Sequence, residues 1–152
     1  MYKTILVPHS GTPAGDLALE HATDIAKSSS SKLVSLHIVE EMSYPPTFAL
    51  SSSERQSLIK SADEANNLFQ KEMEKRKTKC AENKLESQVI VSIGNAAEII
   101  LDIAKEKKVD LIVMAKRRKL KGLKSLLSLG SVSRKIVENS PCPVLLIDVE
   151  KK

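Results

Sequence analysis

Five short apolar runs, separated by segments of helical periodicity, constrain the fold of this chain more than any other feature. They comprise Thr4 to Val7, Leu33 to Val39, Gln88 to Ile93, Asp110 to Ala115, and Val144 to Ile147. Largely continuous apolar runs of this length are typical of strands that are covered on both faces of a parallel sheet. Strands that alternate with helices predict a doubly wound α/β fold, with a five-stranded parallel sheet and helices on both faces.

The segments between these runs carry the signals of four helices. Thr12 is a good N-cap residue and Pro13 suits the first helical position. Asn95 is followed by Glu98 at the spacing of a capping box, and Pro141 ends the fourth helix. The predicted helices run from Pro13 to about Ser28, from about Glu54 to Cys80, from Asn95 through Ala104, and from about Ser131 to Asn139.

Length and composition indicate a single domain over residues 1–152. The segment from Glu40 to Ser53, rich in Pro and Ser, is predicted to be a loop. Cys80 and Cys142 match no metal-binding spacing, which favours a reduced, intracellular protein. Because the N-terminus lacks the apolar core of a signal peptide and no run is long enough to cross a bilayer, we expect a cytoplasmic protein without a membrane partner.

The net charge of the chain limits the classes of partner. The formal charge is +5, which favours acidic ligands in general. The chain has no Trp, two Phe and two Tyr, so it offers few aromatic rings for base stacking. A small anionic ligand is therefore favoured over a nucleic acid.

One segment, Met114 to Ser133, combines the end of a strand with a basic stretch and a helix start. Gly130 and Ser131 can begin a helix whose first N–H groups attract an anion. A strand that leads through a loop into a helix N-terminus commonly holds phosphate in α/β proteins. The basic stretch alone is more typical of a solvated surface loop. Its members are Lys116, Arg117, Arg118, Lys119, Lys121 and Lys124.

Several motifs, in the same order along the whole chain, resemble the universal stress protein family. They are Thr4-Ile-Leu-Val-Pro, Leu36-His-Ile-Val, Gly94-Asn-Ala-Ala-Glu-Ile-Ile, Asp110-Leu-Ile-Val-Met, Leu129-Gly-Ser-Val-Ser and Pro141-Cys-Pro-Val-Leu-Leu-Ile. The resemblance implies a Rossmann-like sheet of the adenine nucleotide alpha hydrolase type, with strand order 3-2-1-4-5 and a ligand crevice between strands one and four. It also implies a homodimer that forms through strand five, an apolar edge.

The ATP-binding members of that family carry a loop of pattern G-x2-G-x9-G-[S/T] after strand four and an aspartate after strand one. Here Ala115 and Arg118 stand where the first two glycines are expected, and eleven residues instead of nine separate Arg118 from Gly130. Ser10 stands in place of the aspartate that would accept from ribose hydroxyls. Side chains in place of glycine keep the backbone away from phosphate oxygens. These departures indicate weak or absent ATP binding.

The rest of the implied site is retained. The helix start keeps Gly130 and Ser131, followed by Val132 and Ser133. Pro8, Ile38 and Met114 fall where sites of this type shape their adenine and ribose pocket. The candidate ligands are therefore ATP, another adenine nucleotide or a small anion.

The chain shows no catalytic or metal-binding arrangement in its sequence. His9, His21 and His37 are too dispersed for a metal trio and lack an obvious acidic partner. His9 lies at the mouth of the crevice, where it could touch a ligand, whereas structural roles are favoured for His21 and His37. Ser10 has no nucleophile elbow and no base, so we expect a turn or capping residue there.

We therefore expect a non-catalytic binding and regulatory module of the stress response, and two alternatives remain open. An ATP-binding universal stress protein with slow hydrolase activity would need an acidic group near the phosphates, and Asp110 and Asp148 are poorly placed for that role. A polyanion or nucleic-acid binder would use the basic loop 116–124, and its affinity would fall steeply with salt.

Overall fold

The computed structural model describes residues 1–39, 51–82, 84–116 and 129–148. In chain order its elements are β1 (Thr4–Pro8), α1 (Pro13–Ser29), β2 (Lys32–Val39), α2 (Ser52–Glu82), β3 (Ser87–Ile93), α3 (Ala96–Glu106), β4 (Leu111–Lys116), α4 (Ser131–Asn139) and β5 (Val144–Asp148). The strands and helices expected from the sequence are confirmed, with ends shifted by one or two residues. Among the described residues, none of the helices combines the length and the apolar character that crossing a membrane requires.

The strands form one sheet in the order β3-β2-β1-β4-β5, and each neighbouring pair is parallel. This order confirms the one that the family resemblance implied. β1 lies at the centre, where Ile5 pairs with Leu33 of β2 on one side and with Leu111 of β4 on the other. β2 therefore lies on one side of β1, and the chain later crosses to the other side of β1, where it forms β4.

Alternate residues of β1 enter two separate cores. Ile5 and Val7 pack on the face covered by α1, together with its alanines. Leu6 packs on the opposite face, where Ile100 of α3 and Ile136 of α4 lie. All three β1 side chains are fully buried, which explains why the run lacks polar alternation.

The helix starts follow the capping signals in the sequence. Thr12 accepts a hydrogen bond from the Gly15 N–H, and Asn95 accepts one from the Glu98 N–H at 3.2 Å. The Glu98 carboxylate contacts Lys135 of α4 at 3.1 Å, which links α3 to α4.

The start of α2 is one place where the sequence prediction was wrong. Ser51 accepts from the Glu54 N–H, and the Glu54 carboxylate accepts from the Ser51 N–H and hydroxyl at 2.8 and 2.6 Å. This reciprocal capping box begins α2 at Ser52, inside the segment predicted to be a loop. Residues 40–50 of that predicted loop lie outside the described residues.

The long helix α2 buries little of its own surface. Met73 is fully buried and Phe69 is partly buried, whereas Ile59 and Leu68 are exposed. The lean apolar stripe expected from the sequence is thus found in the helix. With few apolar contacts, the position of α2 depends more than usual on polar contacts with the rest of the domain.

Asp110 fastens the amino-terminal edge of the sheet. Its carboxylate accepts the backbone N–H groups of Lys3 and Thr4, each at 2.8 Å. These two hydrogen bonds lower the pKa of the Asp110 carboxyl group. Asp110 therefore joins the start of β4 to the start of β1, at the edge opposite to the expected ligand crevice.

Candidate functional site

The order of the strands reverses between β1 and β4, and the carboxyl ends of these two strands define the candidate site. In open α/β sheets a ligand binds in the crevice at such a reversal, outside the carboxyl ends of the strands. Here β1 ends at Pro8 and β4 ends at Lys116. The N-terminus of α4 follows, and α4 packs on the face of the sheet that α3 also covers.

Three of the predicted pocket residues share one face of this site. Met114 is a buried member of the core cluster that includes Ile136, and Ile38 and Val132 pack against that cluster. Pro8 ends β1 and is partly buried. The structure thus brings together the ends of β1, β2 and β4 with the first turn of α4.

Ala115 and Arg118 do not join that face. Ala115 packs against the cluster on the α1 side of the sheet, opposite to Met114. Its methyl group occupies space at the carboxyl end of β4 where a glycine would leave the backbone bare. Arg118 lies outside the described residues, as does the rest of the basic loop beyond Lys116.

The start of α4 has the geometry of an anion-binding helix end. Gly130 is the N-cap, with φ −56° and ψ 154°, and it has no side chain to accept from the first-turn N–H groups. Among the described residues, no atom lies within 4 Å of the position that a Cβ on Gly130 would occupy. Ser131 is exposed and Ser133 is buried. The positive end of the helix dipole is therefore not covered by any of the described residues at this point.

Ser10 is exposed and belongs to the cap of α1. Its hydroxyl lies 2.8 Å from the Thr12 hydroxyl, the group that also accepts from the Gly15 N–H. The predicted turn or capping role agrees with this contact. A serine so engaged supplies no negative charge that could accept from ribose hydroxyls.

His9, next to Ser10, is buried instead of facing the crevice. Its exposed fraction is 3%, and its ring makes two hydrogen bonds. Nδ1 accepts from the Gly11 N–H at 2.9 Å, so the proton sits on Nε2, which donates to Asp16 Oδ1 at 3.1 Å. The pKa of His9 is lowered, chiefly by burial and then by the charge of Arg76, so the imidazole is neutral at pH 7.

Arg76 of α2 holds the same carboxylate from the other side. Its Nε donates to Asp16 Oδ1 at 2.6 Å and its Nη2 donates to Oδ2 at 3.3 Å, so the guanidinium contacts both oxygens of the carboxylate. Nη1 donates to the Glu72 carbonyl at 3.0 Å, which fixes the guanidinium plane. The pKa of Asp16 is lowered, with the hydrogen bond from Arg76 as the largest cause.

His37 of β2 also contacts this group of side chains. Its Nδ1 donates to the His9 carbonyl at 2.8 Å, and its ring stacks on Phe69 of α2 with centroids 3.1 Å apart. Burial is the main cause of its lowered pKa. We call His9, Asp16, His37, Phe69 and Arg76 the His9 cluster, because each of them contacts His9 directly or through one other member.

The turn between β1 and α1 is shaped around this cluster. Gly11 has φ +73°, and a Cβ placed on it would lie 2.6 Å from Cε2 of Phe69. A Cβ on Gly15 would lie 3.0 to 3.1 Å from three atoms of the His9 ring. Gly11 is therefore required by its positive φ and the close approach of a ring, and Gly15 leaves room for the His9 ring.

The sequence reasoning missed the His9 cluster and left His9 without an acidic partner. Two signals pointed to it. Arg76 follows Met73 on the otherwise apolar stripe of α2, and Asp16 sits one turn into α1, directly after a glycine. The two charges are sixty residues apart in sequence, so only the packing of α2 on the β1–α1 turn reveals the pair. His21, by contrast, is exposed on α1.

Other features of the described residues bear less on the crevice. No group of three or more metal-binding side chains occurs in the described part of the chain. A groove of about 520 Å³ lies between α2 and β3, lined by Asp63, Asn67, Gln70, Val91 and Ile93. It is next to the edge strand, two strands away from the β1–β4 reversal.

The chain is similar to known proteins over most of its length. The sequence model of the universal stress protein family matches residues 1–148. The universal stress protein YxiE of Bacillus subtilis is 34% identical over 155 aligned residues, covering 97% of this chain and 99% of that protein. The solved structure of MJ0577, a universal stress protein of Methanocaldococcus jannaschii, is 28% identical with a TM-score of 0.76, covering 100% and 99%. An Arabidopsis thaliana family structure with AMP bound is 20% identical with a TM-score of 0.64, covering 96% and 91%.

Proposed function

Because the chain belongs to the universal stress protein family, we propose that it is a cytoplasmic, non-catalytic binding and regulatory module with weak or absent affinity for ATP. The observation that supports this proposal is a difference between the two sides of the crevice, at the start of α4 and after β1. Among the described residues nothing covers the positive end of α4, while Ser10, at the position where the family would hold the ribose, is uncharged and is tied into a helix cap. These features support a site that can hold a phosphate but lacks the carboxylate for a ribose.

The chemistry of the retained end favours a small anionic ligand. First-turn N–H groups and the helix dipole recognise one phosphate or a similar anion without a side chain. Affinity for a whole nucleotide needs additional contacts to the sugar and the base. Ile38 is partly buried at the end of β2 beside Met114, so adenine nucleotides remain the ligands to test beside inorganic phosphate. The AMP-bound Arabidopsis structure supports that choice of probes.

Calorimetric titration with Mg-ATP, AMP and inorganic phosphate tests the proposal. We expect wild-type affinity for Mg-ATP to be weaker than about 100 μM, which corresponds to roughly −5.5 kcal/mol. The variant Ser10→Asp restores a carboxylate after β1 and is expected to bind AMP at least about tenfold more tightly, a gain of about 1.4 kcal/mol. Micromolar binding of Mg-ATP by the wild-type protein would overturn the proposal.

A matched variant controls for the added charge. Ser28→Asp places the same carboxylate at an exposed position at the end of α1, on the opposite edge of the sheet. It should leave AMP affinity at the wild-type value. Equal gains from Ser10→Asp and Ser28→Asp would mean that net charge, and not the crevice, governs binding.

Two acidic residues that could serve the hydrolase alternative are engaged elsewhere in the structure. Asp16 accepts from both Arg76 and His9 and so is committed to the His9 cluster. Asp110 lies at the opposite edge of the sheet, bound to backbone N–H groups. Release of phosphate from Mg-ATP, abolished by Ser131→Pro but not by a change on the far edge, would favour the enzyme over the binding module.

We also propose that the protein is a homodimer that pairs through β5. β5 is an edge strand of the sheet, and Leu145 on β5 and Val137 on α4 expose 37% and 45% of their surface. An exposed apolar edge strand is normally covered in a stable protein. Light scattering should give a dimeric mass for the wild-type protein and a monomeric mass for Leu145→Lys. A monomeric wild-type protein would refute this assembly.

A further inference from the structure

The His9 cluster joins α2 to the turn that carries Ser10, and its chemistry depends on one proton. Arg76 reaches from α2 to Asp16 on α1, and Phe69 reaches from α2 to His37 on β2. Few other side chains of α2 are buried among the described residues, Met73 being fully so. These polar and ring contacts therefore tie this part of α2 to α1 and β2, in addition to its packing on β3.

We propose that the His9 cluster is an acid-sensitive latch: while His9 is neutral it fastens α2 to the β1–α1 turn, and protonation of His9 releases α2 from that turn. The latch operates without any ligand. It rests on the hydrogen bonds of one buried ring and on the charges that face it.

The acceptor role of Nδ1 is the first reason. Gly11 donates its N–H to Nδ1 at 2.9 Å, which requires a bare ring nitrogen. Protonation puts a hydrogen on Nδ1, so two donors would then face each other at this distance. The turn at Gly11 must change for either hydrogen to find an acceptor. Because Gly11 also packs beneath Phe69, a change in the turn disturbs the contact with α2.

The surrounding charges are the second reason. Asp16 faces His9 from α1, Arg76 from α2, and the neutral ring of His37 from β2. On α2, Glu72 also lies within 3.6 Å of Arg76, and Lys75 is paired to Glu72. Asp16 would attract a protonated His9, but the same oxygen already accepts from Arg76 at 2.6 Å. A cationic His9 therefore adds a second positive charge beside Arg76 at the same carboxylate, so the two cations repel each other across Asp16.

The expected consequence is local. Release of Arg76 and Phe69 frees the middle of α2 while the sheet stays intact, since the strands are held by their own ladders and by two apolar cores. The turn that bears Ser10 gains freedom at the same time. Acidification would thus open the side of the domain next to the candidate crevice.

Hydrogen–deuterium exchange, corrected for the intrinsic pH dependence of exchange, tests the latch. Between about pH 7.5 and a pH about one unit below the His9 midpoint measured by NMR, we expect at least about tenfold faster exchange in peptides spanning residues 67–78 of the wild-type protein. The variant His9→Asn keeps an acceptor for the Gly11 N–H but cannot titrate, so its exchange should be the same at both pH values. The matched variant His21→Asn removes an exposed histidine of α1 and should retain the wild-type transition.

A second measurement needs no variant. In ¹⁵N NMR spectra the ring nitrogens of His9 and the amide of Gly11 should titrate with one common midpoint, and the change in α2 should share that midpoint. An unchanged exchange rate of α2 in the wild-type protein below the measured His9 midpoint would overturn the latch. So would a transition that persists in His9→Asn, because that outcome assigns the titration to another group such as His37.

Discussion

The substitution Gly11→Ala separates two effects that the structure places at one residue. Gly11 has φ +73°, in the left-handed region, and an added Cβ would lie 2.6 Å from Cε2 and 3.1 Å from Cζ of Phe69. The left-handed conformation costs a residue with a Cβ about 1–2 kcal/mol. Overpacking against a ring that is itself stacked on His37 adds about 1–3 kcal/mol. We expect the free energy of unfolding to fall by about 2–5 kcal/mol in total.

Urea unfolding followed by circular dichroism measures this loss, and a double-mutant cycle divides it. In a Phe69→Ala background the ring is gone, so Gly11→Ala should retain only the backbone part, about 1–2 kcal/mol. Gly130→Ala serves as a control because Gly130 has an ordinary φ of −56° and no described neighbour near the added Cβ. That change should cost less than about 1 kcal/mol, the scale of an altered helix cap.

Two outcomes would refute the reasoning. A loss below about 0.5 kcal/mol in Gly11→Ala would mean that the turn relaxes without strain, against the positive φ of this residue. Equal losses in the wild-type and Phe69→Ala backgrounds would mean that the ring does not approach the turn as the structure shows.

Two further predictions concern the charges of the His9 cluster. Arg76→Met should lower the free energy of unfolding by about 1–2 kcal/mol in the same urea titration. The loss is smaller than for a fully buried pair because the Asp16 side chain is 45% exposed. Glu98→Gln breaks an exposed pair and should lower the free energy of unfolding by less than about 0.5 kcal/mol. The folded-state pKa values of His9 and His37 lie below their ordinary value of 6.5, so their contribution to stability is complete above about pH 6.5 and is lost as the pH falls through the lowered pKa values. The free energy of unfolding should therefore decrease on acidification below about pH 6.5, by at most about 1.4 kcal/mol per pH unit for each histidine, and a pH-independent stability between pH 7 and pH 5 would contradict this assignment.

The fold was predictable because its signals are local. The run at β1 is apolar on both faces, and the structure buries Ile5, Leu6 and Val7 in two cores. Thr12 and Asn95 begin their helices as their side chains predict. The start of α2 was missed because a capping box hidden in a run of serines looked like a loop, although Glu54 follows Ser51 at the required spacing.

The candidate site was predictable only where it depends on the order of the strands. The family resemblance implied the reversal between β1 and β4, and the sequence at Gly130 and Ser131 indicated the helix start. The burial of His9 does not, because it results from the approach of α2, which brings Arg76 to Asp16 across sixty residues of chain. Contacts of this kind depend on how a weakly apolar helix packs. Sequence periodicity shows which residues form its apolar stripe, but not where that stripe lies on the domain.

The central position of β1 in the sheet affects how the chain folds while it is synthesised on the ribosome. β1 is synthesised first, and β2 can pair with it after one short crossover. The opposite edge of β1 stays unpaired until β4 has emerged, and the Asp110 carboxylate that binds the Lys3 and Thr4 N–H groups lies 107 and 106 residues further on. At roughly 5–20 residues per second, that exposed edge persists for several seconds in each nascent chain. During this time the backbone groups of that edge are available to a chaperone or to a neighbouring nascent chain.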